Sequence, residues 1–161
     1  DFISGARLRV DGRGARTDSK GGARFVHLPP GPALLEVSAV GYVTARETLR
    51  GDEDEVVERL VELVEGGRIE GQVRDDLGDA VGNVTVEVFR PGGREVLGLA
   101  KTDARGRFQV DSLPVGEIEV IARVPAGGQE LWVDARLASD VLGGQVTRDV
   151  FLRFDRRAPQ N

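Results

Sequence analysis

Cysteine and methionine are absent from the sequence, and histidine, tryptophan and tyrosine occur once each. Without cysteine the chain has no disulfide framework, thiolate metal site or thiol nucleophile. One histidine cannot supply a metal triad. His27, set between a strand and a turn, reads as a surface residue rather than the base of a catalytic relay. No apolar run approaches the roughly 20 residues that a membrane helix needs, so no transmembrane segment is expected. The absence of methionine, with Asp1 as the first residue, suggests a processed chain or a piece of a longer one.

Basic charge is also in short supply. Net charge is −5, which argues against nucleic acid, because phosphate binding needs a basic surface. Lys20 and Lys101 are the only lysines among 22 basic residues. The arginine bias, with abundant Gly, Val and Ala, suggests a GC-rich bacterial genome. Aromatic residues make up 5% of the chain, so a sugar-stacking groove has little to draw on beyond Tyr42 and Trp132.

What is present is a soluble globular composition over 161 residues, 40% hydrophobic and 30% charged. That length holds one ordinary domain or two small ones. A repeat decides between them. Thr17 and Thr102 stand 102 − 17 = 85 apart, and the same offset carries Asp18 to Asp103, Gly21 to Gly106, Leu28 to Leu113, Pro29 to Pro114 and Gly31 to Gly116. Identities at one offset without a gap point to two copies of one unit.

The physics of that unit is local. Thr-Asp-x-x-Gly makes a turn, with the Asp carboxylate free to accept nearby backbone N–H groups and Gly free to take positive φ. Alternation follows, with Ala23 and Phe25 matching Phe108 and Val110 on one strand face. Leu-Pro-x-Gly forms a second turn, and a further strand follows over residues 34–38 and 118–123.

In the second copy, the expected strands are residues 69–73, one with Val84, Val86 and Val88 buried, 96–101, 130–136 around Trp132, and 146–154. About seven short strands with Gly-rich turns is the pattern of a Greek-key sandwich. In the first copy, Ala6, Leu8 and Val10 match Val84, Val86 and Val88 at an offset of 84 − 6 = 78. At that offset the partner of residues 69–73 falls before Asp1, so the first copy lacks its opening strand. It ends with strands at 43–49 and 58–64. Residues 56–64 also fit a short helix, but alternation at 150–154 favours a strand. The expected division is a first module at 1–65, a second at 66–155 and a polar tail at 156–161.

Residues Ile69, Gly71, Asp76, Gly78, Val81, Val84, Val86, Thr102, Asp103, Gly106, Phe108, Leu113, Pro114 and Gly116 resemble the pattern of carboxypeptidase regulatory-like domains. Gly41-Tyr42 in the first copy is similar to a Gly-Tyr pair of that family, whereas the second copy departs there with Pro125, Gly127 and Gly128. The resemblance implies a transthyretin-like seven-stranded sandwich, related to Cna B-type folds. It also implies a non-catalytic module of secreted or envelope proteins, serving as spacer, docking surface or appendage.

The fold class expected is therefore all-β, two tandem Greek-key sandwiches. The expected function is a non-catalytic structural or interaction module of a bacterial secreted or cell-envelope protein. Its partners would be other protein domains or neighbouring copies supplying the missing strand. The alternatives are a carbohydrate-binding appendage of a larger enzyme, and a subunit of a strand-complemented oligomer or filament. No cofactor and no metal are expected. The acidic stretches 52–55 and 75–79 lack the spacing of an EF-hand loop. The internal Lys–Asn amide of some related folds needs a lysine on an opening strand, which neither Lys20 nor Lys101 occupies. Arg50-Gly51-Asp52 and the sequon Asn83-Val84-Thr85 are read as chance matches.

Overall fold

A computed structural model of the chain describes residues 2–52, 55–123 and 134–155. Among these, the chain is all-β, with eleven strands and no helix. They are β1 (Arg7–Val10), β2 (Arg13–Arg16), β3 (Gly31–Ser38), β4 (Ala45–Gly51), β5 (Gly67–Arg74), β6 (Thr85–Phe89), β7 (Val96–Lys101), β8 (Arg107–Leu113), β9 (Gly116–Arg123), β10 (Ala135–Val141) and β11 (Val146–Arg153). The chain divides into two compact units, Asp1–Glu65 and Gly66–Asn161.

The second unit holds a four-stranded sheet in the order β10-β9-β6-β7 and a three-stranded sheet in the order β11-β5-β8. Strand β5 is the centre of the smaller sheet, antiparallel to β8 and parallel to β11. Alternation explains which faces meet. On β8, Phe108 and Val110 are buried while Arg107, Gln109 and Asp111 are exposed. Ile69 and Val73 of β5, with Val150 and Leu152 of β11, complete that inner face. Opposite lie Val84, Val86, Val88, Ile118, Val120 and Ala122. Burying each such side chain is worth roughly 1.5–3 kcal/mol, so one continuous core supports this unit.

The first unit has a single hydrogen-bonded sheet, in the order β2-β1-β3-β4. β1 and β2 are joined by Asp11 and Gly12, both at positive φ (45° and 84°), the two-residue turn that suits the twist of a hairpin. The buried face of the sheet presents Val10, Ala33, Leu35 and Val37. Phe25, Leu28, Val61 and Leu63 pack over it, half-buried.

Three expectations are corrected here. Residues 22–28, expected as a strand through Ala23 and Phe25, form none. Residues 56–64, expected as a strand with a helix as the alternative, are neither. In the second unit, β8 and β11 are strands because both bond to β5. The first unit has no counterpart of β5 among the described residues, so the matching segments have nothing to pair with. The third correction concerns the strand placed at 130–136. The ladder with β9 runs from Ala135↔Ala122 to Val141↔Gly116, so the strand is β10. Residues 130–133, Trp132 included, lie outside the described residues.

Candidate functional site

Each unit contains one Thr-Asp turn, and the two are built with the same hydrogen bonds. In the second unit the Thr102 hydroxyl accepts the Val84 N–H at 2.9 Å and donates to the Val81 carbonyl at 2.9 Å. In the first, the Thr17 hydroxyl accepts the Ala6 N–H at 2.9 Å and donates to the Ile3 carbonyl at 2.6 Å. Thr102 is buried, and its pairing meets the demand that buried polar groups be satisfied.

The neighbouring carboxylates work alike. Asp103 accepts N–H bonds from Arg105 at 2.8 Å and Arg107 at 2.9 Å. Asp18 accepts them from Lys20 at 2.8 Å and Gly22 at 2.9 Å. The Arg107 N–H is the largest influence holding Asp103 below the ordinary carboxylate pKa, and the Gly22 N–H does the same for Asp18. Gly21 and Gly106 close the turns at φ of 73° and 70°, where a side chain would be strained.

Pro29 and Pro114 precede Gly31 and Gly116, whose φ values are 112° and 113°. Immediately before the Leu-Pro pairs, His27 and Ser112 both sit in the left-handed region, at 55° and 60°. Ser112 lies where the β5–β8 ladder shifts register between Gly67 and Ile69. His27 is exposed, and its backbone carbonyl accepts a bond from the Arg13 guanidinium at 2.8 Å.

The remaining candidate residues do not converge. Tyr42 is half-buried and bridges to Glu65. Asp75 caps its own turn through bonds from Leu77 at 3.0 Å and Asp79 at 2.8 Å. Among the described residues, no three His, Cys, Asp or Glu side chains stand close enough to share a metal ion. One concavity of the second unit is lined by Glu70, Gly71, Asp103, Arg107, Phe108 and Gln109, and its Asp103 is already engaged by the turn.

Sequence reasoning missed a charged cluster on the larger sheet. Arg123 donates to Glu87 at 2.6 Å and to Asp134 at 2.9 Å, and the Asp134 bond foremost raises the arginine pKa. The signal was cross-strand: Thr85 faces Arg123, which sets Glu87 diagonally beside it. Two arginine clamps were also missed. Arg90 donates to the carbonyls of Val115 and Glu117, each at 3.1 Å, and Arg13 to those of Val26 and His27.

The feature peculiar to one unit is the pair of unladdered segments. Among the described residues, neither 23–28 nor 56–63 makes a backbone–backbone hydrogen bond. Val26, Val56, Val57, Leu60 and Val64, all on or beside these segments, are exposed.

Residues 68–138 match the family model of the carboxypeptidase regulatory-like domain. The matched residues lie within the second unit. That match spans β5 through most of β10, the part of the chain where β5 is present and paired. No curated protein matches the chain. Among solved structures, the Bacillus anthracis TIE protein is similar at 18% identity and a TM-score of 0.45, over 97% of this chain and 31% of its own. This chain therefore spans about a third of that protein's length. A minor pilin of Streptococcus agalactiae is similar at 13% identity and TM-score 0.44, over 99% and 88%. The shaft pilin SpaA of Lactobacillus rhamnosus GG is similar at 8% identity and TM-score 0.45, over 99% and 90%.

Proposed function

We propose that the chain is a non-catalytic interaction module, a docking or assembly unit of a bacterial secreted or cell-envelope protein. One observation carries the reading: the polar residues shared by the two units bond to their own backbone. Thr17, Asp18, Thr102 and Asp103 are occupied in holding turns. The chemically distinctive surface left over is apolar and backbone-rich, at 22–28 and 56–64, which is the chemistry of protein association rather than of bond cleavage. The carboxypeptidase regulatory-like match over 68–138 supports a module attached to, or working beside, other domains.

Fractionation of cells that make the protein, with an antibody against this chain, tests the reading. Recovery in the envelope or the culture fluid is expected. Recovery with the cytoplasmic enzymes alone would overturn it.

A further inference from the structure

We propose that β7 is an association edge: two copies of the chain join there, β7 against β7, antiparallel about a two-fold axis. The proposal rests on the interaction-module reading and names its partner, a second copy of this chain.

The sheet edges of the molecule are not equally guarded. An exposed edge strand invites another strand, and charged side chains within it discourage that pairing. Among the described residues, the edges are β2 and β4 in the first unit and β7, β8, β10 and β11 in the second. Every one but β7 carries two or more charged residues, including Glu47 in β4, Asp111 in β8, Asp140 in β10 and Asp149 in β11. β7 reads Val-Leu-Gly-Leu-Ala-Lys, with no charge before its last residue. Its Val96 and Leu99 are 47% and 63% exposed. Its irregularity is a register shift against β6 that leaves Leu97 without a partner on that strand.

The free side of β7 follows from its ladder. The strand bonds to β6 alone. The Thr102 N–H bonds the Val84 carbonyl at 2.9 Å, one step beyond the pair Thr85↔Lys101. Bonding alternates along an antiparallel ladder, so Ala100 and Gly98 face β6, while Lys101 and Leu99 turn their N–H and C=O groups outward. These are the groups that a further strand would satisfy.

Charge selects the occupant and the register. Glu95 is exposed just before the strand, and Lys101 ends it, also exposed. A parallel copy in register would set like charges together at both ends. An antiparallel copy centred on Gly98 sets each Lys101 opposite the partner's Glu95, and Leu99 opposite the partner's Leu97. Moving the centre to Leu99 would instead bring Glu95 against the partner's Asp103. The edge therefore complements itself in one direction and one register, which is the property of an isologous contact. A six-residue edge buries less than the ~1,600 Å² of a standard stable interface, so the dimer forms at high protein concentration.

The test is sedimentation velocity on the full 161-residue chain, from micromolar to millimolar concentration, with residue-resolved hydrogen exchange at both extremes. A monomer–dimer equilibrium is expected, with the amides of Leu99 and Lys101 gaining protection as concentration rises. Lys101→Glu sets like charges opposite each other twice per dimer and is expected to weaken association at least ~10-fold. Adding Glu95→Lys to that variant restores unlike pairs and is expected to recover the dimer. Leu99→Lys alters a solvent-exposed side chain, and is expected to keep the fold and abolish association. A chain that stays monomeric at every concentration would overturn the proposal. So would association that protects residues 22–28 or 56–64 instead of β7, or a double variant no stronger than Lys101→Glu alone. A monomer recovered from the cell envelope would sink this pairing and leave the module reading standing, so the two fail separately.

Discussion

Residues 107–113 and 22–28 share a turn before them, a turn after them and an apolar alternation between, yet one is a strand and the other is not. The turns are the same down to individual hydrogen bonds. What differs is the neighbour. β8 is hydrogen-bonded to β5, whereas among the described residues 22–28 pairs with no strand. The same holds for β11 and 56–64. Turn chemistry therefore survives in the first unit because its bonds are local, within five residues of Asp18. Ladder structure fails because each of its bonds needs a second segment. Among the described residues, the first unit has three strands fewer than the second, the counterparts of β5, β8 and β11.

The comparison can be broken from the complete side. A Cβ at Gly71 would collide with the Val150 carbonyl and the Phe108 ring, so Gly71→Val should wedge β5 away from both neighbours. We expect a loss of roughly 3 kcal/mol in the second unit, read by urea denaturation, with β8 and β11 amides exchanging early. Retained protection there would show that β5 is not what orders them.

Core truncations sharpen the comparison next. Val110→Ala should cost about 2 kcal/mol, from lost burial plus a cavity. The matching Phe25→Ala removes more atoms but should cost only about 1 kcal/mol, because that ring is already part-exposed. The hydroxyls follow the same rule. Thr102→Val strands a buried Val84 N–H and should cost about 2 kcal/mol, and Thr17→Val, in a less enclosed site, about 1 kcal/mol.

The smallest effect is in acid. Asp18 and Asp103 have folded-state pKa values below the ordinary carboxylate value. Their contribution is therefore complete above that ordinary value, about 3.9, and is lost as pH falls through the lowered folded one. Asp103→Asn should flatten the acid limb of the second unit's stability profile and leave that of the first unchanged. Both carboxylates are solvent-facing, so the change is confined to a slight shift of the acid midpoint.

This division also explains how much could be read from the sequence. Asp18, Gly21 and their partners at the 85-residue offset were legible because their roles are set by backbone within four residues, whereas the bonds of Thr17 and Thr102 to Ile3, Ala6, Val81 and Val84 were not. The strands β6, β7, β9 and β11 were legible through alternation, and the lack of a β5 counterpart among the described residues through the second offset. The consequence of that absence was not legible: alternation at Ala23 and Phe25 is a request for a partner and does not supply one. β10 was misplaced because Trp132 drew attention, while the strand's own inward positions, Ala135, Leu137, Ser139 and Val141, include one small and one polar residue that weaken the alternation. The cluster of Arg123, Glu87 and Asp134 depends on register, which single-strand periodicity does not carry. Tyr42 and Trp132 were paired by residue type alone. Tyr42 is half-buried beside Glu65, and Trp132 falls outside the described residues.

The central claim is that one absent strand accounts for the difference between the units. Offset 78 matches Asp1 with Asp79, so a copy of residues 67–78 joined directly ahead of Asp1 restores the spacing seen in the second unit. Hydrogen exchange on that fusion, compared with the parent chain, is the direct measurement. The account predicts that amides of Ala23, Phe25 and residues 57–61 slow toward the rates of Phe108, Val110 and Leu152. Unchanged exchange at those positions, in a fusion whose second unit is intact, would contradict it.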